Sequence, residues 1–363
     1  MAKPSSSNSI LLTVVNFAVF LLICWVATLY HVYCSVKKLR PRSSIAEVAD
    51  DQRIVVITGC DRGFGRLLVD ALYDSTKFHI VALTLTEEAS TDIAESKAHD
   101  PRVKAIKCDV TSDTDVAAMK KMVHAMCDDC ETSLKLYAIV NNAGIAIGSG
   151  HALFFETPEK HMKVMDVNYF GMLRVTCALQ ELLVHAKSNG RIVNLSSVCG
   201  ATATPGNSAY NASKFAVEAW SDSLRIELAP FGVHVVKVRP GQTSTAIQEA
   251  WASNCIANFG AAPESVQRLY GGKAWLESLQ KAFGSGGAMS NSSMTAPEVV
   301  VESLREILVI PEPKASYWTG NDAKTMFKAL YSLPSPIVES AKLLIGSLMN
   351  PVTPKDEDKV KSE

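Results

Sequence analysis

Short apolar runs alternate with longer stretches of helical spacing through residues 53–240. The runs are rich in valine and isoleucine and lack the polar alternation of a sheet with one face in water, so both faces of each predicted strand should be covered. Six runs predict strands, at 53–58, 80–85, 103–108, 137–140, 191–195 and 234–238. Strands that alternate with helices in this way predict an α/β fold with a doubly wound parallel sheet and helices on both faces.

Two helix starts carry capping signals. Thr157 precedes Pro158, which suits the first helical position, and Thr295 precedes Glu298 by three residues, as in a capping box. We therefore expect one helix to begin directly after each threonine.

The N-terminal segment 10–34 is almost wholly apolar, and no Asp, Glu, Lys or Arg lies between Lys3 and Lys37. About 20 apolar residues span a bilayer core, so the run is long enough to cross one. A cleaved signal peptide is the alternative, but the run is too long for one and no small-x-small cleavage pattern follows it. We expect an uncleaved transmembrane anchor, with a tail at 1–9 before it and a basic and polar linker at 35–52 after it.

Charge on the two sides of the anchor predicts its orientation. Four cations follow the span, at Lys37, Lys38, Arg40 and Arg42, whereas Lys3 and the α-amino group precede it. The positive-inside rule then places the C-terminal body in the cytosol. The chain ends in Lys-Val-Lys-Ser-Glu, which resembles the KxKxx signal that retrieves membrane proteins to the endoplasmic reticulum. These features predict a single-pass protein of that membrane.

The pattern weakens over residues 242–294, where glycine, serine, alanine and asparagine predominate. Five aromatic residues interrupt that stretch, at Trp251, Phe259, Tyr270, Trp275 and Phe283. A solvated insertion would not usually hold so many aromatics, so we expect a lid over a hydrophobic site. Residues 326–350 are apolar but broken by lysine, glutamate and proline, which predicts an amphipathic segment at a membrane surface. A charged tail follows at 351–363.

Composition excludes several classes of protein. The 363 residues are 47% hydrophobic, with 36 Lys+Arg against 37 Asp+Glu and a net charge of -1. Such a chain can form a large core, and it has no excess of positive charge for a nucleic-acid partner. Its nine cysteines are scattered without a disulfide framework, which fits a reducing compartment. Cys127 and Cys130 form a CxxC without a second pair, so no metal site is expected.

A glycine-rich turn follows the first predicted strand, with the sequence Thr58-Gly-Cys-Asp-Arg-Gly-Phe-Gly65. Glycine permits a tight turn there and lets the backbone approach a pyrophosphate, whose charge then meets the N–H groups of a helix N-terminus. A glycine-rich turn that merely ends a strand would have the same sequence pattern, so this motif alone does not establish a pyrophosphate site.

Tyr210 and Lys214 lie one turn apart on a predicted helix. A tyrosine base needs its pKa to fall from about 10 toward 7, a cost of roughly 4 kcal/mol. A cation at about 4 Å in an effective dielectric of about 20 supplies that much. Ser197 and Asn141 follow other predicted strands, and ligands of open α/β sheets bind at these carboxyl ends.

Together these motifs resemble the short-chain dehydrogenase/reductase family, across residues 53–310. The matching residues are Thr58–Gly65, Cys108–Thr111, Asn141–Gly144, Asp166–Asn168, Ser197, Tyr210, Lys214, Pro240, Gly241 and Thr245. Within the family, the first motif and Tyr317–Lys324 are similar to the membrane-bound retinol and 17β-hydroxysteroid dehydrogenases, to which the D-β-hydroxybutyrate dehydrogenases are also similar. The resemblance implies a Rossmann fold and a catalytic domain at 53–325.

The resemblance also implies residue roles. The catalytic residues would be Asn168, Ser197, Tyr210 and Lys214. Tyr210 would be the base, Lys214 would lower its pKa, Ser197 would hydrogen-bond the reacting oxygen, and Asn168 would fix a relay water. Residues implied to bind a nicotinamide cofactor are Gly59, Asp61, Arg62, Gly63, Phe64, Gly65, Thr84, Asp109, Val110, Asn141, Ala143, Gly144, Tyr210, Lys214, Pro240, Gly241, Thr243 and Thr245.

The choice between NAD and NADP stays open in the sequence. By register Thr84 ends the second strand, where an Asp would favour NAD and an Arg would favour NADP. Arg62 suits a 2′-phosphate, whereas Glu87 and Glu88 would repel one, and the subgroup resemblance tips the expectation toward NAD.

The expected partners are a lipid bilayer and a lipophilic alcohol or carbonyl such as a retinoid or steroid, and a homodimer is compatible with the resemblance. A small hydroxy acid is the alternative substrate; Arg268 or Lys273 would then bind its carboxylate. A catalytically silent membrane scaffold with this fold is an alternative of another class.

The orientation can be tested at Asn291, which opens an Asn-Ser-Ser sequon in a predicted surface loop. The other two sequons, at Asn194 and Asn211, are predicted to lie in a core strand and a helix. We expect no glycan on Asn291, because a cytosolic body never meets the glycosylation machinery. Endoglycosidase treatment of the membrane-expressed protein should leave its electrophoretic mobility unchanged, while a sequon added to an N-terminal extension should be glycosylated. A glycan on Asn291 would reverse the predicted topology.

Overall fold

The computed structural model describes residues 25, 28, 48–129, 131–147, 157–186, 189–204, 206–269, 272–274, 277, 294–334 and 336–340. The chain divides into two compact units, Met1–Ile45 and Ala46–Glu363. Within the described ranges no helix is both long and apolar enough to cross a bilayer. The predicted span 10–34 falls outside them except for Trp25 and Thr28, both helical. Asn291 and the tail 351–363 also lie outside the described residues.

The second unit is built on a seven-stranded parallel sheet with strand order 3-2-1-4-5-6-7. Its strands are β1 (Arg53–Thr58), β2 (His79–Thr84), β3 (Val103–Lys107), β4 (Lys135–Asn141), β5 (Arg191–Leu195), β6 (His234–Pro240) and β7 (Ser316–Thr319). The predicted doubly wound parallel sheet is therefore confirmed. The chain starts in the middle of the sheet and builds outward in both directions, so β1 lies between β2 and β4.

The helices of this unit are α1 (Gly63–Ser75), α2 (Glu87–Ser96), α3 (Asp113–Asp128), α4 (Pro158–Met165), α5 (Met172–Ala186), α6 (Ser208–Leu228), α7 (Ala246–Gly260), α8 (Glu264–Leu269), α9 (Pro297–Val309) and α10 (Lys328–Ser332). Short 3-10 turns occur at Asp50–Gln52, Val198–Gly200 and Ala229–Phe231, and π-helical turns at Asp166–Gly171 and Ala323–Phe327. Thr157 caps α4 as predicted, since its hydroxyl accepts the Lys160 N–H at 3.4 Å.

Alternate residues of each strand point to opposite faces, and both faces are covered. Val55 and Ile57 of β1 pack with α1 and α9 in one core, and Ile54 and Val56 pack with α3 and α5 in the other. This double coverage explains why the strands read as continuous apolar runs. Asn194 and Asn211 are both buried, in β5 and α6, as predicted for those two sequons.

The seventh strand was not predicted. β7 pairs with β6 through Val238 and Tyr317 and is only four residues long. Its sequence Ser-Tyr-Trp-Thr is partly polar and, at the edge of the sheet, mostly half-buried. An apolar-run criterion cannot detect so short an edge strand.

The predicted capping box at Thr295 is wrong. α9 begins at Pro297, and Ala296 at its N-cap gives no side-chain hydrogen bond. Thr295 instead forms a parallel bridge with Thr243, and its N–H donates to the Gln242 carbonyl at 3.0 Å. The backbone of Thr295 is therefore committed to the loop after β6 and does not cap a helix.

The predicted lid at 242–294 contains regular structure where the pattern was weakest. α7 and α8 occupy its first part, and Phe259 of α7 is buried. α7 is rich in alanine, and apolar residues lie all around it rather than on one face, so no helical periodicity was visible. Trp275 and Phe283 lie outside the described residues.

Arg191 ties β5 to the end of α9. Its guanidinium stacks over the Tyr137 ring, 4.4 Å from the centroid, and donates to the carbonyls of Ile307 and, at 3.0 Å, Ile310. The Tyr137 hydroxyl donates to the Leu308 carbonyl at 3.1 Å. Burial lowers the pKa of Arg191 to about 10. A helix C-terminus leaves carbonyls without intrahelical partners, and these two side chains satisfy them.

We expect Arg191→Met to lower the free energy of unfolding by about 3 kcal/mol, because buried helix-end carbonyls lose charge-assisted hydrogen bonds. Urea denaturation of the full chain in detergent, followed by tryptophan fluorescence, measures the change. Arg305→Met, at an exposed ion pair with Glu302, should change it by less than about 0.5 kcal/mol. Equal effects of the two substitutions would contradict the role assigned to Arg191.

Candidate active site

The strand order reverses between β1 and β4, so their carboxyl ends flank a crevice. Ligands of open α/β sheets bind at this kind of position. A cavity of about 1400 Å³ lies there. Sixteen of the predicted site residues line it: Gly59, Asp61, Arg62, Gly63, Phe64, Asp109, Val110, Ala143, Gly144, Ser197, Tyr210, Lys214, Pro240, Gly241, Thr243 and Thr245.

One hydroxyl joins the two central strands at the crevice. Thr58, the last residue of β1, accepts the N–H groups of Asn142 and Ala143 with its side-chain oxygen, each at 2.9 Å. Asn142 in turn donates from its amide to the carbonyls of Thr58 at 2.8 Å and Gly59 at 3.0 Å. The glycine turn after β1 and the Asn-Asn-Ala-Gly segment after β4 are therefore held as one surface.

Two glycines are required by this close approach. Gly59 has a φ of +70°, and a Cβ there would lie 2.8 Å from the Ala143 Cα. A Cβ on Gly65 would overlap the Gly59 carbonyl oxygen and lie 2.6 Å from the Asn142 side-chain nitrogen. Gly65 thus stands behind the cavity wall rather than in it. The turn and the start of α1 leave backbone groups facing the cavity, as a bound pyrophosphate would need.

The segment after β2 is fixed by Asp61. Its carboxylate accepts the N–H groups of Leu85 at 2.9 Å and Thr86 at 3.1 Å, and all three residues line the cavity. Thr84 does not line it, because its buried hydroxyl donates to the Thr86 carbonyl at 2.9 Å. The residues that face a cofactor on this side therefore come after Thr84.

Asp109 and Val110 line the wall after β3. The Asp109 carboxylate accepts both the N–H, at 2.9 Å, and the hydroxyl, at 2.8 Å, of Thr111. Val110 packs so closely on Gly171 that a Cβ on that glycine would lie 2.6 Å from its methyl carbon. This wall is positioned by local hydrogen bonds and packing.

Ser197, Tyr210 and Lys214 meet at the opposite wall. Ser197 follows β5, accepts the Cys199 N–H at 3.1 Å with its hydroxyl and lies near the Tyr210 side chain. Lys214 donates to the Leu195 carbonyl at 2.7 Å, and its Nζ lies 5.5 Å from the Tyr210 ring centroid. The structure thus brings the predicted serine, tyrosine and lysine together.

The electrostatics of this group differ from the expectation. Burial raises the pKa of the Tyr210 phenol, Cys199 raises it further, and the nearby Ser197 hydroxyl lowers it. Burial also lowers the pKa of the Lys214 ammonium to about 8, against the opposing effects of Cys199 and Glu218. Lys214 was expected to lower the pKa of Tyr210. Burial opposes that effect because it disfavours the charged form of both groups: it raises the pKa of the phenol and lowers the pKa of the ammonium.

Asn168 and Asn141 support the site from behind. Asn168 accepts the Ile145 N–H at 2.7 Å, and its amide donates to the Ile145 carbonyl at 2.9 Å and the Ser213 hydroxyl at 3.0 Å. Asn141 donates to Thr176 and to the Asn194 side chain at 3.0 and 2.8 Å. Both asparagines are fully buried and absent from the cavity lining.

Sequence reasoning missed two contributors to the site. Asp322 accepts the Gln242 N–H at 2.8 Å and leaves no room for a Cβ on Gly241, so it fixes the loop after β6. Cys199 lines the cavity beside Ser197 and Tyr210. The Tyr317–Lys324 motif contains Asp322 and was the available signal for it, whereas nothing in the pattern singled out Cys199.

One wall of the cavity is apolar. Its side chains come from the Ser197 turn, from α7 and from the segment at α10: Val198, Ile247, Met326, Phe327 and Leu330. Val198 and Phe327 pack together in a small buried cluster. The same cavity is therefore lined by the glycine turn, by Tyr210 and by these apolar side chains.

A doubly wound sheet, a glycine turn at its switch point and a serine-tyrosine-lysine group on the same cavity define a dinucleotide-dependent oxidoreductase. The residues of the turn fit such a cofactor, since two glycines clear the approach to the helix N-terminus. The sequence profile described as short chain dehydrogenase matches residues 53–255. The chain belongs to this family, and it is an NAD(P)-dependent short-chain oxidoreductase.

The relatives confirm the resemblance to the retinol and hydroxysteroid dehydrogenases. The chain is 30% identical to human retinol dehydrogenase 16 over 87% of its length and 95% of the relative's. It is 34% identical to mouse retinol dehydrogenase 5, over 83% of this chain and 90% of the relative. It is 30% identical to mouse 17-beta-hydroxysteroid dehydrogenase type 6, over 87% of this chain and 95% of the relative.

Solved structures share the fold. A short-chain dehydrogenase from Burkholderia cenocepacia in complex with NADP superposes with a TM-score of 0.59 at 22% identity, covering 82% of this chain and 99% of that one. A short-chain dehydrogenase/reductase from Burkholderia phymatum in complex with NAD superposes with a TM-score of 0.60 at 21% identity. The match covers 85% of this chain and 98% of that one.

We expect Gly65→Ala to weaken binding of NADH and NADPH more than about tenfold, because the added methyl displaces the Gly59 carbonyl and the Asn142 amide from the turn. Fluorescence titration of each reduced cofactor measures the change. Gly260→Ala is the matched control, since nothing lies within 4 Å of a Cβ there. Unchanged cofactor binding in Gly65→Ala would contradict the placement of the dinucleotide at this turn.

Proposed function

We propose that the protein is a membrane-anchored dehydrogenase that transfers hydride between a nicotinamide cofactor and a lipophilic alcohol or its carbonyl, of the retinoid or steroid class. The observation that carries this proposal is the apolar wall beside the Ser197, Tyr210 and Lys214 group. A hydrophobic wall stabilises an apolar substrate by about 25 cal/mol for each Å² removed from water. The names of the retinol and hydroxysteroid dehydrogenase relatives support the same class of substrate.

Membrane attachment has two supports. The segment 10–34 is apolar enough in sequence to act as an anchor, and the basic residues after it favour a cytosolic body at the endoplasmic reticulum. In the segment that contains α10 and in the residues after it, four large apolar side chains are exposed, and Met326 among them also lines the cavity: Met326, Tyr331, Leu333 and Ile337. Exposed apolar residues beside a cavity are suited to a lipid surface, from which an apolar substrate would enter.

The reaction divides between cofactor and side chains. When bound, the nicotinamide supplies the acceptor for the hydride of the carbinol carbon. Tyr210 takes the alcohol proton, Ser197 donates a hydrogen bond to the same oxygen, and the Lys214 cation offsets the negative charge on the phenol oxygen. In reduction each transfer runs the other way. Asn168 holds the Ile145 backbone at the cavity, and its proposed part in a proton relay would be exerted from that position.

NAD is the favoured cofactor. The carboxylates of Asp61, Glu88 and Asp92 line the cavity near the segment after β2, together with the cation of Arg62. Asp92 is paired with Arg66, whereas Asp61 is held by backbone N–H groups. A 2′-phosphate brought there would meet more negative than positive charge, and a 2′-hydroxyl would find carboxylate acceptors.

The hydroxy-acid alternative has less support. Arg268 has an exposed side chain 3.1 Å from Glu264, and Lys273 is similarly exposed near Glu277. Neither cation lines the cavity. A substrate carboxylate in the cavity would therefore not be bound by either of them, and the apolar wall would be a poor surface for it.

The test is a panel of retinoid, steroid and hydroxybutyrate substrates with membranes that contain the protein, each with NAD and with NADP. We expect turnover of a retinoid or steroid with NAD. Tyr210→Phe should lower kcat at least about 1000-fold and leave NADH binding within about twofold, because only the proton-transfer group is lost. Nicotinamide absorbance measures turnover, and fluorescence titration measures binding.

Tyr73→Phe is the matched control, since it also removes one hydroxyl but from a group bonded to Asp100. Full activity of Tyr210→Phe would refute the catalytic assignment. Turnover of hydroxybutyrate alone would favour the hydroxy-acid reading, and cofactor binding without any turnover would favour a silent scaffold.

A further inference from the structure

A buried cluster of charges lies behind the catalytic helix. Glu218 of α6 accepts two hydrogen bonds from Arg239, Nε to Oε1 at 2.8 Å and Nη2 to Oε2 at 2.7 Å. The Lys237 Nζ lies 2.8 Å from the same carboxylate and 2.6 Å from Asp222. Glu218, Lys237 and Arg239 are all buried. Burial of charges is costly, and here it is compensated by a two-point contact that fixes the carboxylate.

Glu218 is adjacent to both parts of the catalytic group. It follows Lys214 by four residues on α6, so the two side chains share a face of that helix. It also touches the 3-10 turn after Ser197, because a Cβ on Gly200 would lie only 3.0 Å from the Glu218 Cγ. The Glu218 side chain therefore packs against the turn that carries the serine, one helical turn away from the lysine.

The charge of Glu218 acts on Lys214. Burial raises the pKa of Glu218, but the hydrogen bonds from Arg239 and Lys237 more than offset this, and the net pKa lies below its ordinary value. Three titratable groups face the Lys214 ammonium: Tyr210 and Glu218 from α6, and Cys199 from the turn. Of these, Glu218 is the anion at neutral pH, and it raises the pKa of Lys214 against the effect of burial.

Arg239 connects the same carboxylate to the C-terminal segment. Its guanidinium lies 4.7 Å from the Trp318 ring centroid on β7 and 5.1 Å from that of Tyr331 on α10. The two rings are 5.7 Å apart and tilted by 58°, and the Arg239 cation lies over both of them. The segment that forms the apolar wall is thus linked through Arg239 and Glu218 to the helix that carries Lys214.

We propose that Glu218, clamped by Arg239 one helical turn from Lys214, is a positioning residue that favours the charged form of the Lys214 side chain. The inference deepens the proposed function, since it is the oxidoreductase mechanism that gives Lys214 its task. Glu218 itself is not among the residues that line the cavity.

The test is Glu218→Gln in the full-length protein, which removes the charge and keeps the shape. Reductive dimethylation of Lys214 with ¹³C-formaldehyde, followed across pH by peptide mass spectrometry, gives the titration midpoint of that amine without any substrate. Loss of a neighbouring anion disfavours the ammonium, so the midpoint should fall by about one pH unit. The alkaline limb of the kcat profile should move down by a similar amount, with the KM for cofactor within about twofold.

Glu302→Gln is the control, because it removes the same charge from an exposed pair with Arg305 and should leave both readouts unchanged. Glu218→Asp keeps the charge, so the titration midpoint of Lys214 in that variant should lie close to the wild-type value. If Glu218→Gln does not fold, Arg239→Lys tests the same clamp, since a one-point contact lets the carboxylate move and should lower the midpoint by a smaller amount.

The two proposals fail differently. A wild-type protein without turnover in the substrate panel contradicts the proposed function. A Lys214 midpoint that is the same in Glu218→Gln and wild type contradicts the role of Glu218, whatever the turnover.

Discussion

The Thr58 hydroxyl accepts two backbone N–H groups from the segment after β4, and the whole site depends on this junction. Parallel strands end with backbone groups that no hairpin can satisfy, and at the centre of a doubly wound sheet the chain leaves β1 and β4 toward opposite faces. A side chain must therefore join the two strand ends. Because it does so here, the Gly59 turn and Gly144 are presented to one cavity at fixed separation.

The packing around the site also determines how easily its side chains can carry a charge. Tyr210 and Lys214 stand in a wall made largely of packed side chains, and burial there disfavours both the phenolate and the ammonium. In the proposed mechanism, a tyrosine base in this setting would be favoured by the Ser197 hydroxyl on one side and, through Lys214, by the Glu218 carboxylate on the other. Ser197, Tyr210 and Lys214 are thus better described as side chains whose ionisation is coupled than as a tyrosine beside one cation.

The elements that could be predicted from the sequence are those that produce a periodic pattern or a distinct composition. Strands covered on both faces leave apolar runs, and the six longest were found with small errors at their ends. β7 was missed because it is short and lies at an edge, and α7 because its apolar residues lie all around the helix. Both are elements whose placement is determined by tertiary packing rather than by local pattern.

Within the site, the spacing of motifs predicted well which residues come together, but it predicted poorly which way their side chains point. Ser197, Tyr210 and Lys214 were expected together and lie together. Thr84 and Asn141 occupy the expected strand ends, yet neither lines the cavity, because their side chains bond to the Thr86 carbonyl and the Asn194 side chain. A residue at the end of a strand can face either way, and only its hydrogen-bond partners decide which. Glu218 and Arg239 carried no spacing signal, since an ion pair between a helix and a strand depends on how the two elements pack.

The C-terminal segment shows why substrate binding and membrane contact are expected to be linked in this chain. Phe327 and Leu330 are buried and line the cavity, while Met326 lines it with 46% of its surface exposed and Tyr331 is 55% exposed. One short segment therefore contributes to the substrate wall on one side and to an exposed apolar surface on the other. Through Tyr331 it also reaches Arg239, and from there the catalytic helix. Any displacement of this segment by a lipid surface would act at the same time on the width of the apolar wall and on the clamp around Glu218.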